Sequence, residues 1–230
     1  MDRGLHLLAK PASMADAVFE ALQARIQSLD LPPGTKLSEA DIAQQFGISR
    51  QPVRDAFYRL SVLGFLNIRP QRATEVSRIS ATTILVARFL RTAAEVEMAR
   101  RACSLKGDGH IARLQAEIDA QARCIAGGDP DGFKRHDDAF HQGLCVACGL
   151  GPVWTSIAES KAHTDRIRIL SIRVGSKEAL DDHQAILDAV AARDADLAAA
   201  MVRRHLDRIL GVMDELRKSD PDWFAPEAAP

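Results

Sequence analysis

The 230-residue sequence lacks an excess of either charge: 30 Lys and Arg stand against 31 Asp and Glu, a formal net of -1. Nucleic-acid-binding proteins usually carry a surplus of positive charge, so this balance, if spread evenly, argues against such a partner. Long apolar runs are also missing; none approaches the roughly 18 residues needed to span a bilayer, and no membrane partner is expected. No basic start followed by an apolar stretch and a small-residue cleavage site is present, so no signal peptide is expected. Cysteine is sparse, with four residues at 103, 124, 145 and 148. Together these features point to a cytoplasmic protein with reduced thiols. Internal repeats and low-complexity segments are absent. What remains is an ordinary globular composition, 47% hydrophobic and 27% charged, at a length that predicts one or two domains.

The charge is not spread evenly. Residues 1–80 sum to +2 and residues 81–230 to -3. Between Ser49 and Arg78, Arg50, Arg54, Arg59, Arg69, Arg72 and Arg78 face only Asp55 and Glu75, a local +4. A basic stripe is thus carried by an acidic body.

Periodicity assigns that stripe to a structure. Ser13 caps a predicted helix whose apolar positions Met14, Ala17, Val18, Leu22 and Ile26 follow helical spacing. Leu31-Pro-Pro-Gly34 stops it. Ser38 opens a short helix with Ile42, Ala43 and Phe46 inward, ending at Gly47, and Ser49 opens a third with Val53, Phe57, Leu60 and Leu63 as its buried stripe. Two helices joined by a short glycine-containing turn read as helix-turn-helix. The segments 65–68 and 73–76, around the polar turn Arg69-Pro-Gln-Arg72, read as two strands of a wing. From Thr82 onward the pattern predicts six helices, at 82–106, 109–127, 130–148, 151–172, 176–192 and 194–218, forming a bundle. The expected organisation is an arm at 1–12, a winged helix-turn-helix domain at 13–79, an all-α domain at 80–220 and a flexible tail at 221–230.

A recognition helix needs donors near its N-terminus, where it enters the major groove and a bidentate Arg distinguishes guanine. Arg50 and Arg54, four residues apart and on one face, supply them, with Ser49 and Gln51 as shorter hydrogen-bonding groups. Arg59 lies nearer the middle of the helix. Arg69 and Arg72 at the wing tip suit phosphate or minor-groove contacts. The plain alternative for any one of these arginines is a solvated face.

The run Leu31-Pro-Pro-Gly-Thr-Lys-Leu-Ser-Glu39, with Ile42-Ala43, Phe46-Gly-Ile-Ser-Arg50, Pro52-Val-Arg-Asp-Ala56, Arg59-Leu60, Gly64-Phe65 and Arg72-Ala73, closely resembles the winged helix-turn-helix domain of GntR-family transcriptional regulators. The resemblance implies that Arg50 and Arg54 are the main base-reading arginines and that the wing around Gln71 and Arg72 enters the minor groove. Some relatives place another contacting arginine early in the second helix. Ala40 stands there in this sequence, so no operator sequence is carried over.

In the second half, Asp137 and His141 are four residues apart and project from one helix face. His183 and His205 stand on later helices within apolar patterns. A lone His on such a face is commonly a core residue bonded to a backbone carbonyl. Three of them with a carboxylate fit a shared divalent metal, because burying so many polar groups without a partner is costly. Residues 82–218 resemble the helical effector domain called FCD, in its shorter six-helix subgroup, through Leu90-Arg91, Glu95, Ala99, Asp137-Asp-Ala-Phe-His141, His183-Gln-Ala-Ile186-Leu-Asp-Ala189 and His205-Leu206. That resemblance implies a metal site of Asp137, His141, His183 and His205 for zinc, or nickel or manganese, with open positions for a small carboxylate metabolite. Arg91 matches a position that pairs with the carboxylate, and Arg166 and Arg168 are further candidates.

The remaining conspicuous residues take plainer readings. Cys145-Val-Ala-Cys148 has redox-motif spacing without a thioredoxin-like pattern around it, so packing cysteines are expected. His6, His110, His136 and His163 are expected at the surface or at caps, and Trp154 as a filler of the bundle. The expectation is therefore a mainly α protein that is not an enzyme: a homodimeric regulator binding a palindromic double-stranded DNA operator, acting as a repressor and controlled by a metabolite at the metal. Two rivals are a metal-dependent enzyme using the three His and Asp, and a constitutive DNA-binding protein with a structural metal.

Overall fold

A computed structural model describes residues 13–69 and 71–226. The arm with His6, Pro70 of the wing turn and the last four residues of the tail lie outside the described residues. The chain divides into two compact units between Ile79 and Ser80.

In the first unit, α1 (Met14–Gln27) begins at a reciprocal cap: the Ser13 hydroxyl accepts from the Asp16 amide while the Asp16 carboxylate accepts from the Ser13 amide. It buries Val18, Leu22 and Ile26. A short β1 (Lys36–Leu37) precedes α2 (Glu39–Phe46), which is capped by the Ser38 hydroxyl. Gly47, at φ 66°, ends α2 in the left-handed conformation that admits the sharp turn to the next helix. Then α3 (Arg50–Val62) buries Val53, Ala56, Phe57 and Leu60. The wing strands are β2 (Leu66–Asn67) and β3 (Thr74–Val76). They pair antiparallel with Leu66 opposite Val76, and β3 also pairs with β1, Lys36 opposite Glu75, giving the order β1-β3-β2. The periodicity of the sequence does not announce β1, because two residues are too few to show alternation and its partner lies far along the chain.

The second unit comprises α4 (Ala81–Cys103), α5 (Gly109–Gly127), α6 (Pro130–Ala147), α7 (Val153–Ala191) and α8 (Ala195–Ser219). The expected fourth and fifth helices of the bundle, 151–172 and 176–192, are two halves of the single helix α7. An isolated glycine such as Gly175 costs a helix only about 1 kcal/mol, and no proline lies within α7 to break it. Val96, Ala99, Leu114, Ile118, Phe140, Leu144, Ile186, Val190 and Val202 form the centre of the core. Trp154 packs against it, partly buried, as a filler.

The tail departs from expectation. Pro221–Trp223 form a short 3-10 helix, and Phe224 is buried with the Arg217 guanidinium 5.3 Å over its ring. One aromatic side chain with a place to pack orders this segment without any periodicity in the sequence.

Candidate metal centre and nucleic-acid interface

The bundle brings Asp137 and His141 from α6, His183 from α7 and His205 from α8 to one point. One ligand atom from each lies within 4.8 Å of all the others, and all four side chains are buried. The His183 Nε2 is 3.6 Å from Asp137 Oδ1 and 3.3 Å from His205 Nε2. His183 is held flat by stacking on Phe140, with ring centroids 4.7 Å apart.

Each imidazole is oriented from behind. His141 Nδ1 stands 2.6 Å from Glu95 Oε2, His183 Nδ1 2.7 Å from Gln121 Oε1, and His205 Nδ1 3.6 Å from Asp182 Oδ2. With Nδ1 directed at an acceptor, each ring offers the Nε2 lone pair forwards, the arrangement found behind metal-bound histidines. The supports are themselves fixed. Arg91 Nε donates to Glu95 Oε1 at 2.7 Å, the Gln121 amide donates to the His136 carbonyl at 3.1 Å, and Arg204 donates to Asp182 at 2.8 Å.

Electrostatics prepare the donors. Burial, reinforced by the neighbouring His205, pushes the His183 pKa well below the ordinary value, and burial brings His205 down to about 4. Both rings are therefore neutral at pH 7 and can donate lone pairs. Burial opposes the charged form of Asp137, but Arg168, 2.6 Å from Oδ2, together with His183, His141 and His205, outweighs it and holds the carboxyl well below the usual carboxylate range. Asp137 Oδ1 and His141 Nε2 remain buried without a hydrogen-bond partner. Two orphaned donors in a set of three imidazoles and one carboxylate fit a divalent ion such as Zn(II). When bound, such an ion supplies a Lewis-acidic centre that attracts an anionic ligand.

Beside the centre lies a cavity of about 270 Å³, walled by Arg88, Arg91, Arg168, His205 and Arg208 together with Leu206, Ile209 and Val212. Arg91 and Arg168 thus stand at its wall, and Arg91 Nη2 is buried without a hydrogen-bond partner. Arg166 does not line this cavity; it is 1% exposed, and burial pushes its guanidinium down to about 10. Arg168 belongs to a buried charge network as well, 3.5 Å from Asp165, which Lys161 meets at 2.7 Å and Lys134 at 3.2 Å.

In the first unit, Ser49, Arg50, Gln51 and Arg54 are all exposed at the start of α3, and Arg69, Gln71 and Arg72 are exposed at the wing. The Ser49 side chain makes no capping bond, and Gln51 bonds to Asp55 at 2.8 Å. Arg54 is 3.4 Å from Glu39. Gln71 has φ 58°, so the wing turns tightly there. Arg59 is placed differently: it donates to Asp16 at 2.7 Å and lies 4.1 Å over the Phe19 ring, bracing α3 against α1. The other histidines also resolve. His110 is 6% exposed, not a surface group, because the first turn of α5 faces the bundle. His136 is half-buried and 2.8 Å from Glu117, and His163 is half-buried.

Comparison with known proteins gives the same division. The family described as "Bacterial regulatory proteins, gntR family" matches residues 14–76 and the FCD domain matches residues 88–208. The chain belongs to the GntR family and carries an FCD domain. It is 34% identical to the HTH-type transcriptional repressor RspR of Escherichia coli strain K12 over 91% of this chain and 93% of that protein. It is 26% identical to the HTH-type transcriptional repressor NanR of Cronobacter sakazakii, covering 88% of this chain and 86% of the relative. Among solved structures, Escherichia coli McbR/YncC superposes with a TM-score of 0.71 at 17% identity, covering 88% of this chain and 98% of that one. A GntR regulator from Rhodococcus sp. RHA1 also gives 0.71, at 21% identity and 87% and 97% coverage. The mainly α architecture, a winged helix-turn-helix followed by an FCD bundle, is thereby shown. The chain is accordingly a transcriptional regulator and not an enzyme. No described helix is long and apolar enough to cross a membrane.

Glu95, Gln121 and Asp182 complete the centre as supports of the imidazoles. Asp182 adjoins His183 in sequence and Glu95 lies four residues after Arg91, so both leave a faint trace there. Gln121 leaves none, because 62 residues separate it from His183. The cysteines keep to packing. Burial, with Glu95 and Cys148 nearby, pushes the Cys145 thiol up to about 11. Cys145 should therefore resist iodoacetamide at pH 8 in the folded chain and react once it is denatured, a contrast that peptide mass mapping reads directly.

Proposed function

We propose that this GntR-family regulator is a metal-dependent, metabolite-responsive repressor that acts as a homodimer on a near-palindromic operator in the cytoplasm. Ser49, Arg50, Gln51 and Arg54 face the major groove, and Arg69, Gln71 and Arg72 meet the minor groove or phosphates. Asp137, His141, His183 and His205 hold Zn(II), and a small carboxylate binds in the adjoining cavity against Arg91 and Arg168. The observation that carries this reading is the juxtaposition of a buried three-His, one-Asp cluster with a cavity lined by Arg91, Arg168 and the ligand His205.

Support for the homodimer comes from α4, where Leu85, Val86, Phe89 and Leu90 are 44–68% exposed on consecutive turns. An apolar strip of that kind is ordinarily covered by a partner. A ligand changes operator affinity only by differing in affinity between two states of the protein, so effector and DNA must oppose each other reciprocally. The test is a fluorescence-anisotropy titration of the zinc-loaded chain against DNA selected from a random pool, with and without a panel of small carboxylates. The expected result is a zinc-dependent fall in DNA affinity with at least one acid. An affinity that ignores every acid, with zinc present or chelated, overturns the switch and favours a constitutive DNA-binding protein.

A further inference from the structure

The arginines at the cavity wall stand in two levels. The pairs Arg88–Asp207 and Arg100–Asp196 show that α4 and α8 run antiparallel, since residue number rises along one as it falls along the other. This register sets Arg91 level with His205 and Arg88 level with Arg208. Each level is three residues from the other, about 4.5 Å along the helix axes. The inner level consists of Arg91, 4% exposed, with His205 and Arg168, and the outer level of Arg88 and Arg208, whose side chains are 29% and 42% exposed. Leu206, Ile209 and Val212 of α8 complete the wall with apolar surface.

The charges at the two levels are balanced differently. At the inner level Arg91 is matched by Glu95, and Arg168 with Lys134 and Lys161 is matched by Asp137, Asp138 and Asp165. A divalent ion on the four ligands would leave this level positive. At the outer level Arg88 is matched by Asp207, but Asp182 alone serves both Arg204, at 2.8 Å, and Arg208, at 3.5 Å. Among the described residues, one outer cation therefore exceeds the carboxylates paired at this level.

Resting on the reading of this cavity as the effector site, we propose that its ligand is a short α,ω-dicarboxylate. The inner carboxylate meets Arg91 beside the metal face, the outer carboxylate meets Arg208 with Arg88, and the carbon chain lies along Leu206 and Ile209. The separation of the two levels suits carboxylates roughly two or three methylenes apart. Arg208 is then the residue that sets the preference for a dianion, through a charge-assisted hydrogen bond to the second carboxylate.

Isothermal titration calorimetry of the zinc-loaded full chain with succinate against butyrate, and glutarate against pentanoate, tests this at equal carbon number. The dicarboxylates are expected to bind about tenfold or more tightly than their partners, the size of one charge-assisted bond. Arg208→Gln should remove that advantage and Arg208→Lys should keep most of it, while zinc content read on the same samples shows the inner site intact. Equal affinity of the paired acids for the wild type, or a preference that survives in Arg208→Gln, overturns the dicarboxylate assignment but leaves the effector site standing. If none of the four acids binds, the carboxylate-effector reading falls together with it.

Discussion

Addition of zinc to the metal-free protein is expected to raise its unfolding temperature by roughly 8–16 °C, and His183→Ala is expected to abolish the rise. His183 is fully buried, its Nδ1 is anchored by Gln121 and its Nε2 faces Asp137 Oδ1. Its loss removes one of four donors from a centre no solvent-exposed group can replace. An ion that binds only the folded state stabilises it by about 4 kcal/mol at a thousandfold excess over its Kd, which for a unit of this size corresponds to that temperature interval. Differential scanning calorimetry with metal content measured on the same samples provides the check. If His183 serves only to pack on Phe140, the alanine variant loses stability equally with and without zinc, and an unchanged zinc-induced rise in the variant refutes the ligand assignment.

The second large effect belongs to the first unit. Arg50→Ala and Arg54→Ala should each weaken binding to selected operator DNA by roughly 1–3 kcal/mol, or about 5- to 150-fold, with little change on scrambled DNA. Both side chains are exposed on one face at the N-terminal end of α3, where donors can reach base edges. Arg59→Ala is the internal contrast. Because Arg59 is engaged with Asp16 and Phe19, its loss should lower the stability of the winged domain without altering base preference. Anisotropy titrations at two salt concentrations separate the cases, since equal losses on operator and scrambled DNA would assign Arg50 and Arg54 to phosphates.

Much of this organisation was legible along the chain because its signals are local. The caps at Ser13 and Ser38 and the left-handed stop at Gly47 are one-residue decisions made by backbone hydrogen bonding. The i, i+4 spacing of Asp137 and His141 places both on one helical face wherever the helix lies. Strand β1 and the ordered Phe224 escaped that reading because each depends on a distant partner or a packing place. The continuity of α7 escaped it because a lone glycine weakens a helix by far less than a proline does.

The sequence by itself determined the elements, the concentration of arginine on α3 and the wing, and the four residue types that can hold a metal. Only the tertiary structure decided which groups stand behind the imidazoles, that Arg59 braces α1, that Arg166 lies away from the cavity, and that Arg88 and Arg208 form a second cationic level. The reason is physical: helix formation and capping act within a few residues, whereas a ligand's orientation and a charge's partner are fixed by side chains that folding brings together from distant positions. The near-zero net charge of the chain hides both arrangements, because it averages a basic stripe on the winged domain with an FCD-bearing unit in which acidic residues slightly outnumber basic ones.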